Sequence, residues 1–388
     1  MADAGSSFNA SSVDLDNTPL VDIICYLNGS GNAYDNRLGL HIASIFVILV
    51  VSTAVTFFPV LATRIRRLKI PLSAYLFARY FGAGVIIATA FVHLLDPAYA
   101  AIGPNTCVGL TGGWSTYSWP PAIALSSAMI IFLVDFIAEY YVEKRYGLVH
   151  AEVENIITDA SGANGNGAHG AHGAHGSHLH LHSADQDDRP KGARRAPAAV
   201  RSEKYDSDLE ELTHLTGDSE EIHRAFQSQI SAFLVLEFGV IFHSVIIGLN
   251  LGVAGGSDFN TLFPVLVFHQ SFEGLGIGAR LSVIPIPTRW RWLPWALCLA
   301  YGLTTPISIA IGLGLHNTYS GSSYTANVVS GVLDSVSAGI LIYTGLVEML
   351  ARDFLFNPHR TNNKKRLALM LVSLYLGCGI MALVGRWA

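Results

Sequence analysis

The chain has 388 residues, of which 51% are hydrophobic and only 14% charged, with a mean hydropathy of +0.40 and a formal net charge of −5. Soluble proteins carry roughly 25% charged residues, so this balance excludes an ordinary soluble domain. A net negative chain of this kind is also not expected to bind nucleic acid.

Residues 1–40 open with MADAGSSFNASSVDLDN, which has neither a basic start nor an apolar stretch, so no cleavable signal peptide is apparent. Apolar runs of about 20 residues, the length that crosses a bilayer, then recur near 41–63, 72–95 and 119–143. After a polar segment, 144–225, five more follow near 228–254, 260–282, 292–315, 328–350 and 367–386. The expected fold class is an all-α integral membrane protein with eight transmembrane helices, spans 1–3 in 41–143 and spans 4–8 in 226–388.

Short cytoplasmic loops collect Lys and Arg. Arg64, Arg66, Arg67 and Lys69 follow span 1, Arg280, Arg289 and Arg291 follow span 5, and Arg352, Arg360, Lys364, Lys365 and Arg366 follow span 7. The loops after spans 2, 4 and 6 contain neither residue. Both termini are therefore expected on the extracellular side. That places the Asn-x-Ser triplets at Asn9 and Asn28 where they can be glycosylated, and Cys25 and Cys107 where a disulfide can persist. Cys298 and Cys378 fall inside spans and read as packing residues.

The segment 144–225 contains AHGAHGAHGSHLHLH, with His169, His172, His175, His178, His180 and His182. Glycine at this density works against a stable helix, so a flexible cytoplasmic tether is expected. Neutral imidazoles gathered on such a tether read as a metal-binding loop, with a linker of no further duty as the alternative.

An ionisable side chain at the bilayer centre costs about 2.5–3.5 kcal/mol on insertion scales. The spans nevertheless hold His93, Asp96, Asp135, Glu139, Glu237, His243, His269, Glu273, Asp334 and Glu348. These are carboxylates and imidazoles with no Lys or Arg at the same depth, and such a set calls for a bound cation. His243 and His269 lie near the middle of neighbouring spans, and Glu273 follows His269 by four residues, on the same helical face. Two imidazoles, one carboxylate and a fourth open position suit zinc and are tolerable for ferrous iron. Small residues around them allow close helix approach, and Pro264 is expected to kink span 5 beside the site.

EFGVIFHSVIIGLNLG followed by VFHQSFEGLGIGARL resembles the paired signature of the ZIP (Zrt/Irt-like) family, in particular its fungal plasma-membrane zinc transporters. The resemblance extends over the eight spans, the His-rich loop, ATAFVHLLDPA in span 2 and SAGILIYTGLVEMLARDF in span 7. It implies that spans 1–3 and 6–8 are related by a pseudo-twofold around spans 4 and 5, and it suggests a homodimer. The main metal site implied by the resemblance falls on His243, His269 and Glu273. Many relatives bind a second ion through HNxPEG in span 4 and an acid in span 5; here Ser244, Ile247 and Gln270 stand at those positions, so a mononuclear site is expected. Asp135, Glu139 and Glu348 are candidate pathway ligands, and His93 and Asp96 could line an entrance or serve structural hydrogen bonds.

The function expected is zinc transport from the extracellular side into the cytosol by alternating access, at the plasma membrane, with Zn2+ as substrate and no prosthetic group. A carrier for Fe2+, Mn2+ or Cd2+ is the nearest alternative. An intramembrane zinc hydrolase would need a closed site and a general base for its water, and a receptor would not need acids spread over several spans.

Overall fold

The computed structural model describes residues 18–28, 34, 36–65, 71–146, 219–316, 321–356 and 361–387. Asn9, the six loop histidines, Arg66, Arg67, Lys69 and Arg360 lie outside them. The chain divides into two units, Met1–Val142 with His223–Ala388, and Glu143–Ile222. The helices of membrane-crossing length belong to the first.

No strand occurs among the described residues. A helix satisfies its backbone donors and acceptors internally, which is what a lipid environment demands of an apolar chain. Among the described residues, seven helices are long and apolar enough to cross a membrane: Leu38–Arg64, Leu72–Ile102, Trp119–Tyr141, Phe226–Val253, Thr288–Gly314, Tyr324–Phe356 and Lys364–Val384. The sequence leads to eight. The helix at span 5, Gly256–Val283, has 28 residues, about 42 Å at 1.5 Å per residue, but Asp258, His269, Gln270, Glu273 and Arg280 lower its apolarity. It runs through Pro264 as one helix.

Boundaries differ from the apolar runs in places where polar residues still extend a helix. The helix of span 4 starts at Ser219, so residues 219–225 of the expected tether are helical. Span 2 continues to Ile102, and span 7 covers Tyr324–Phe356. A short helix, Leu20–Asn28, precedes span 1, and its Cys25 is disulfide-bonded to Cys107 in the loop after span 2. The starts of spans 8 and 7 are capped by side chains: Asn363 accepts from the backbone N–H groups of Lys365 and Arg366, and Ser323 from that of Ala326.

Spans 2 and 7 each contain a π-helical segment, Thr89–Leu95 and Thr344–Phe356. Span 2 changes neighbours there. Its Leu72–Ala88 part packs mainly along spans 8 and 5 and also touches span 7, whereas Asp96–Ile102 packs on span 7. Span 1 lies against spans 5 and 6. Span 4 meets span 6 where Gly248 faces Thr305 and Ser308, and span 7 where Gly239 faces Ile340 and Leu341. Span 3 meets span 7, with Ser127 Oγ donating to the Val336 carbonyl at 2.7 Å. The core joins Phe233, Leu236 and Val240 of span 4 to Ile277, Tyr301 and Leu341. Spans 2 and 5 approach through a glycine pair, Gly82 and Gly276, with no side chain between the two backbones.

Candidate metal centre

Spans 4 and 5 bring the two histidines face to face. His243 Nε2 lies 3.3 Å from His269 Nε2, and His269 Nε2 lies 3.3 Å from Glu273 Oε1. One ligand atom from each of the three residues falls within 4.8 Å of the other two. The side chains are almost sealed from solvent, at 1%, 2% and 0% exposure for His243, His269 and Glu273. Among the described residues, neither oxygen of Glu273 and not the Nδ1 of His243 finds a hydrogen-bond partner. A buried carboxylate without a donor is costly unless a cation neutralises it. Two imidazole nitrogens and a carboxylate oxygen are a donor set for a borderline-soft divalent cation, and three ligands leave room for a fourth.

The residues beside the histidines face one another as well. Gln270 Nε2 donates to Ser244 Oγ at 3.4 Å, and both side chains are buried. Tyr301 on span 6 donates its hydroxyl to the Gln270 carbonyl at 2.9 Å, which ties span 5 in place one residue beyond His269. Neither Ser244 nor Gln270 supplies a charge at this position.

His93 joins the cluster. Its ring is edge-on to that of His269, with centroids 4.7 Å apart, and its Nε2 lies 3.3 Å from the Met381 carbonyl. It stands within the π segment of span 2. Asp96 begins the following helical piece and is exposed. The structure does not bring it to the cluster.

Asp135, Glu139 and Glu348 form a different group, at the end of the bundle rich in arginine. Tyr343 donates to Asp135 at 2.9 Å. Arg352 reaches Glu348 at 2.7 Å and Glu139 at 3.4 Å, and Arg280 lies 4.0 Å from Glu348. Arg79 and Asp353 pair at 2.7 Å nearby. From the sequence these acids are expected to stand without cations at their depth, and the structure corrects that expectation. Arg280 and Arg352 count as loop residues by position, but both lie in helices, and Arg352 follows Glu348 by one turn, so their long side chains fold back onto the carboxylates.

Two buried acids stand in the sequence only as ionisable residues without a role. Asp334 Oδ1 lies 3.9 Å from His243 Nδ1. Glu237 is 2% exposed, and among the described residues neither of its oxygens has a hydrogen-bond partner. Their depth within apolar runs is the signal the sequence offers; their neighbours on other helices are not written in it. The six loop histidines lie outside the described residues.

A family model described as "ZIP Zinc transporter" matches residues 38–385. The chain is 52% identical over 367 residues to "Zinc-regulated transporter 1" of Saccharomyces cerevisiae, covering 94% of this chain and 92% of that protein. It is 38% identical to "Zinc-regulated transporter 1" of Schizosaccharomyces pombe, over 93% of this chain and 88% of that one. Rice "Zinc transporter 9" (Oryza sativa subsp. japonica) is 34% identical, over 95% of this chain and 94% of that one. No solved structure matches the chain.

Proposed function

The chain belongs to the ZIP family of zinc transporters, and from that premise we propose that it carries Zn2+ from the extracellular side into the cytosol through a site formed by His243, His269 and Glu273, by alternating access. The family makes it a multi-pass membrane transporter and not an enzyme. The observation that carries the site is the convergence of three buried ligand atoms within 4.8 Å, with the oxygens of Glu273 left without donors among the described residues.

In this reading Gly256–Val283 is the eighth transmembrane helix, with His269, Gln270 and Glu273 buried among the others. Its Gly82, Thr56 and Tyr301 contacts with spans 2, 1 and 6 support that placement. A pseudo-twofold relating spans 1–3 to spans 6–8 is supported by the packing pairs, since span 1 lies on span 5 as span 6 lies on span 4, and span 2 lies on span 8 as span 7 lies on span 3. The π segments of spans 2 and 7 fall on related helices under the same operation.

The charge bias of the loops puts both termini outside and the arginine end in the cytosol, and the Cys25–Cys107 bridge fits an extracellular face. The plasma membrane is the proposed location. With Ser244 and Gln270 beside the ligands, the site holds one ion. Asp135, held by Tyr343, and Glu139 and Glu348, held by Arg352 and Arg280, then belong to the inner end of the route. The exposed apolar face of span 3, with Leu125, Ile130 and Phe136, meets lipid and, in a homodimer, a second copy.

The test is uptake of radiolabelled Zn2+, Fe2+, Mn2+ and Cd2+ into liposomes holding the purified protein, with His243→Ala, His269→Ala and Glu273→Ala measured beside it. Each variant should lose most zinc uptake, because removal of one of three buried ligands weakens binding steeply. Near wild-type uptake in any two of them would rule the site out.

A further inference from the structure

His243 presents one ring nitrogen to the cluster and the other to span 7. Its Nε2 is 3.3 Å from His269 Nε2, while its Nδ1 is 3.9 Å from Asp334 Oδ1. Both members of the second pair are buried, His243 at 1% and Asp334 at 5% exposure, and among the described residues neither His243 Nδ1 nor Asp334 Oδ1 has a hydrogen-bond partner. At 3.9 Å the two atoms lie a small side-chain rotation short of a hydrogen bond.

We propose that Asp334 is a positioning residue for zinc transport, one that holds the proton of the His243 imidazole on Nδ1 and so keeps the Nε2 lone pair turned towards the ion. The inference rests on the reading of His243 as a ligand. A neutral imidazole carries one proton, and only the unprotonated nitrogen can bind a metal. With the proton on Nδ1, an N–H faces the Asp334 carboxylate, a favourable pair, and Nε2 is free to bind. With the proton on Nε2, a lone pair on Nδ1 faces carboxylate lone pairs in an apolar interior, and the ligand atom is blocked. Carboxylates behind metal-binding histidines act in this way, and their removal typically lowers metal affinity by about 10- to 100-fold.

Charge adds to the effect. Two neutral imidazoles and one carboxylate leave a bound divalent ion with one uncompensated positive charge, which the Asp334 carboxylate neutralises from beyond the ligands. Asp334 therefore links span 7 to the ligand on span 4 without occupying a ligand position itself.

The experiment measures zinc uptake against zinc concentration, normalised to surface protein, for wild type, Asp334→Asn, Asp334→Leu and His243→Ala. Leucine removes both acceptor and charge, and should raise KM for zinc by about 10- to 100-fold while the maximal rate per surface molecule changes by no more than roughly twofold. Asparagine keeps an acceptor oxygen and drops the charge, so its KM should fall between wild type and the leucine variant. A purely structural role would lower surface level or maximal rate and give no such order in KM. The inference is overturned if KM is the same in all three proteins, or if the loss is confined to the maximal rate. Should the leucine variant fail to reach the surface, the near-isosteric asparagine variant decides alone: an unchanged KM overturns the proposal. His243→Ala separates the two readings. If it transports normally, the metal site is wrong; if it fails while both Asp334 variants behave as wild type, only the role of Asp334 is wrong.

Discussion

The glycine contact between spans 2 and 5 yields a prediction whose size follows from the geometry. A methyl group added at Gly276 would sit 2.7 Å from the Cα of Gly82, 3.0 Å from its carbonyl carbon and 3.2 Å from its oxygen. Carbon atoms pack best at about 3.5–4.0 Å, so the two helices must part by about 1 Å to admit it. Overfilling a well-packed interior costs about 1–3 kcal/mol, which corresponds to roughly 5- to 150-fold in an equilibrium constant. Gly276 lies three residues beyond Glu273, so a displaced span 5 carries a ligand with it. Gly276→Ala should lower the melting temperature of the purified protein and raise KM for zinc. Gly82→Ala strains the same contact from the other side, since its added carbon would meet Gly276. Once the helices have parted for one methyl, the second enters at little further cost, so the double variant should be destabilised by clearly less than the sum of the singles. The assay is thermal unfolding in detergent together with surface-normalised zinc uptake for the two single variants and the double. Wild-type melting and KM in Gly276→Ala, or strict additivity in the double variant, would refute the reasoning.

Gln270→Glu should shift metal preference or rate more than zinc affinity, because the new carboxylate stands beside His269 without replacing a ligand; an unchanged profile across zinc, iron, manganese and cadmium would count against it. Deleting residues 168–182 should leave the initial zinc uptake rate within about two- to threefold, as expected for a segment that its glycine content marks as a tether, but delay loss of uptake after a zinc pulse. If the deletion and a variant with all six loop histidines changed to Ser both shut down on the wild-type schedule, the loop is not a zinc sensor. Reduction of the Cys25–Cys107 bridge, or Cys25→Ser, should destabilise the protein by up to about 4.5 kcal/mol, the chain-entropy value for its separation of 82 residues; melting unaffected by reductant would show that the bridge contributes nothing.

Much of the fold is legible because lipid leaves few choices: a long apolar run must be helical, and seven of the eight runs are helices of sufficient length and apolarity. The family resemblance drawn from HSVIIG and HQSFEG is borne out by the match over residues 38–385. The spacing of His269 and Glu273 is legible for a simple reason, since four residues along a helix is one turn. That His243 meets them follows less directly, from similar depth on a neighbouring helix. What the sequence hides is lateral. Arg352 reads as a loop cation until its helix continues past the apolar run, and then it neutralises Glu348. His93 reads equally as an entrance residue or a structural hydrogen-bonding one, and its ring contact with His269 on another helix is not written in the sequence. Asp334 reads as an isolated acid because its partner lies 91 positions away in the chain, a separation read from the numbering of His243 and Asp334.

The π segments of spans 2 and 7 act on these helices as a phase slip acts on a wave. Counting in steps of 3.6 from either end of span 2 gives a consistent face until Thr89, after which the count from the other end disagrees. Such a rod behaves like a crankshaft, with two throws set at different angles on one axis. One throw, Leu72–Ala88, engages spans 5 and 8 and reaches span 7 through Arg79 and Asp353; the other, Asp96–Ile102, packs on span 7. The slip allows a single membrane crossing to belong to two packing groups at once, and it places the His93 imidazole at the bearing between them.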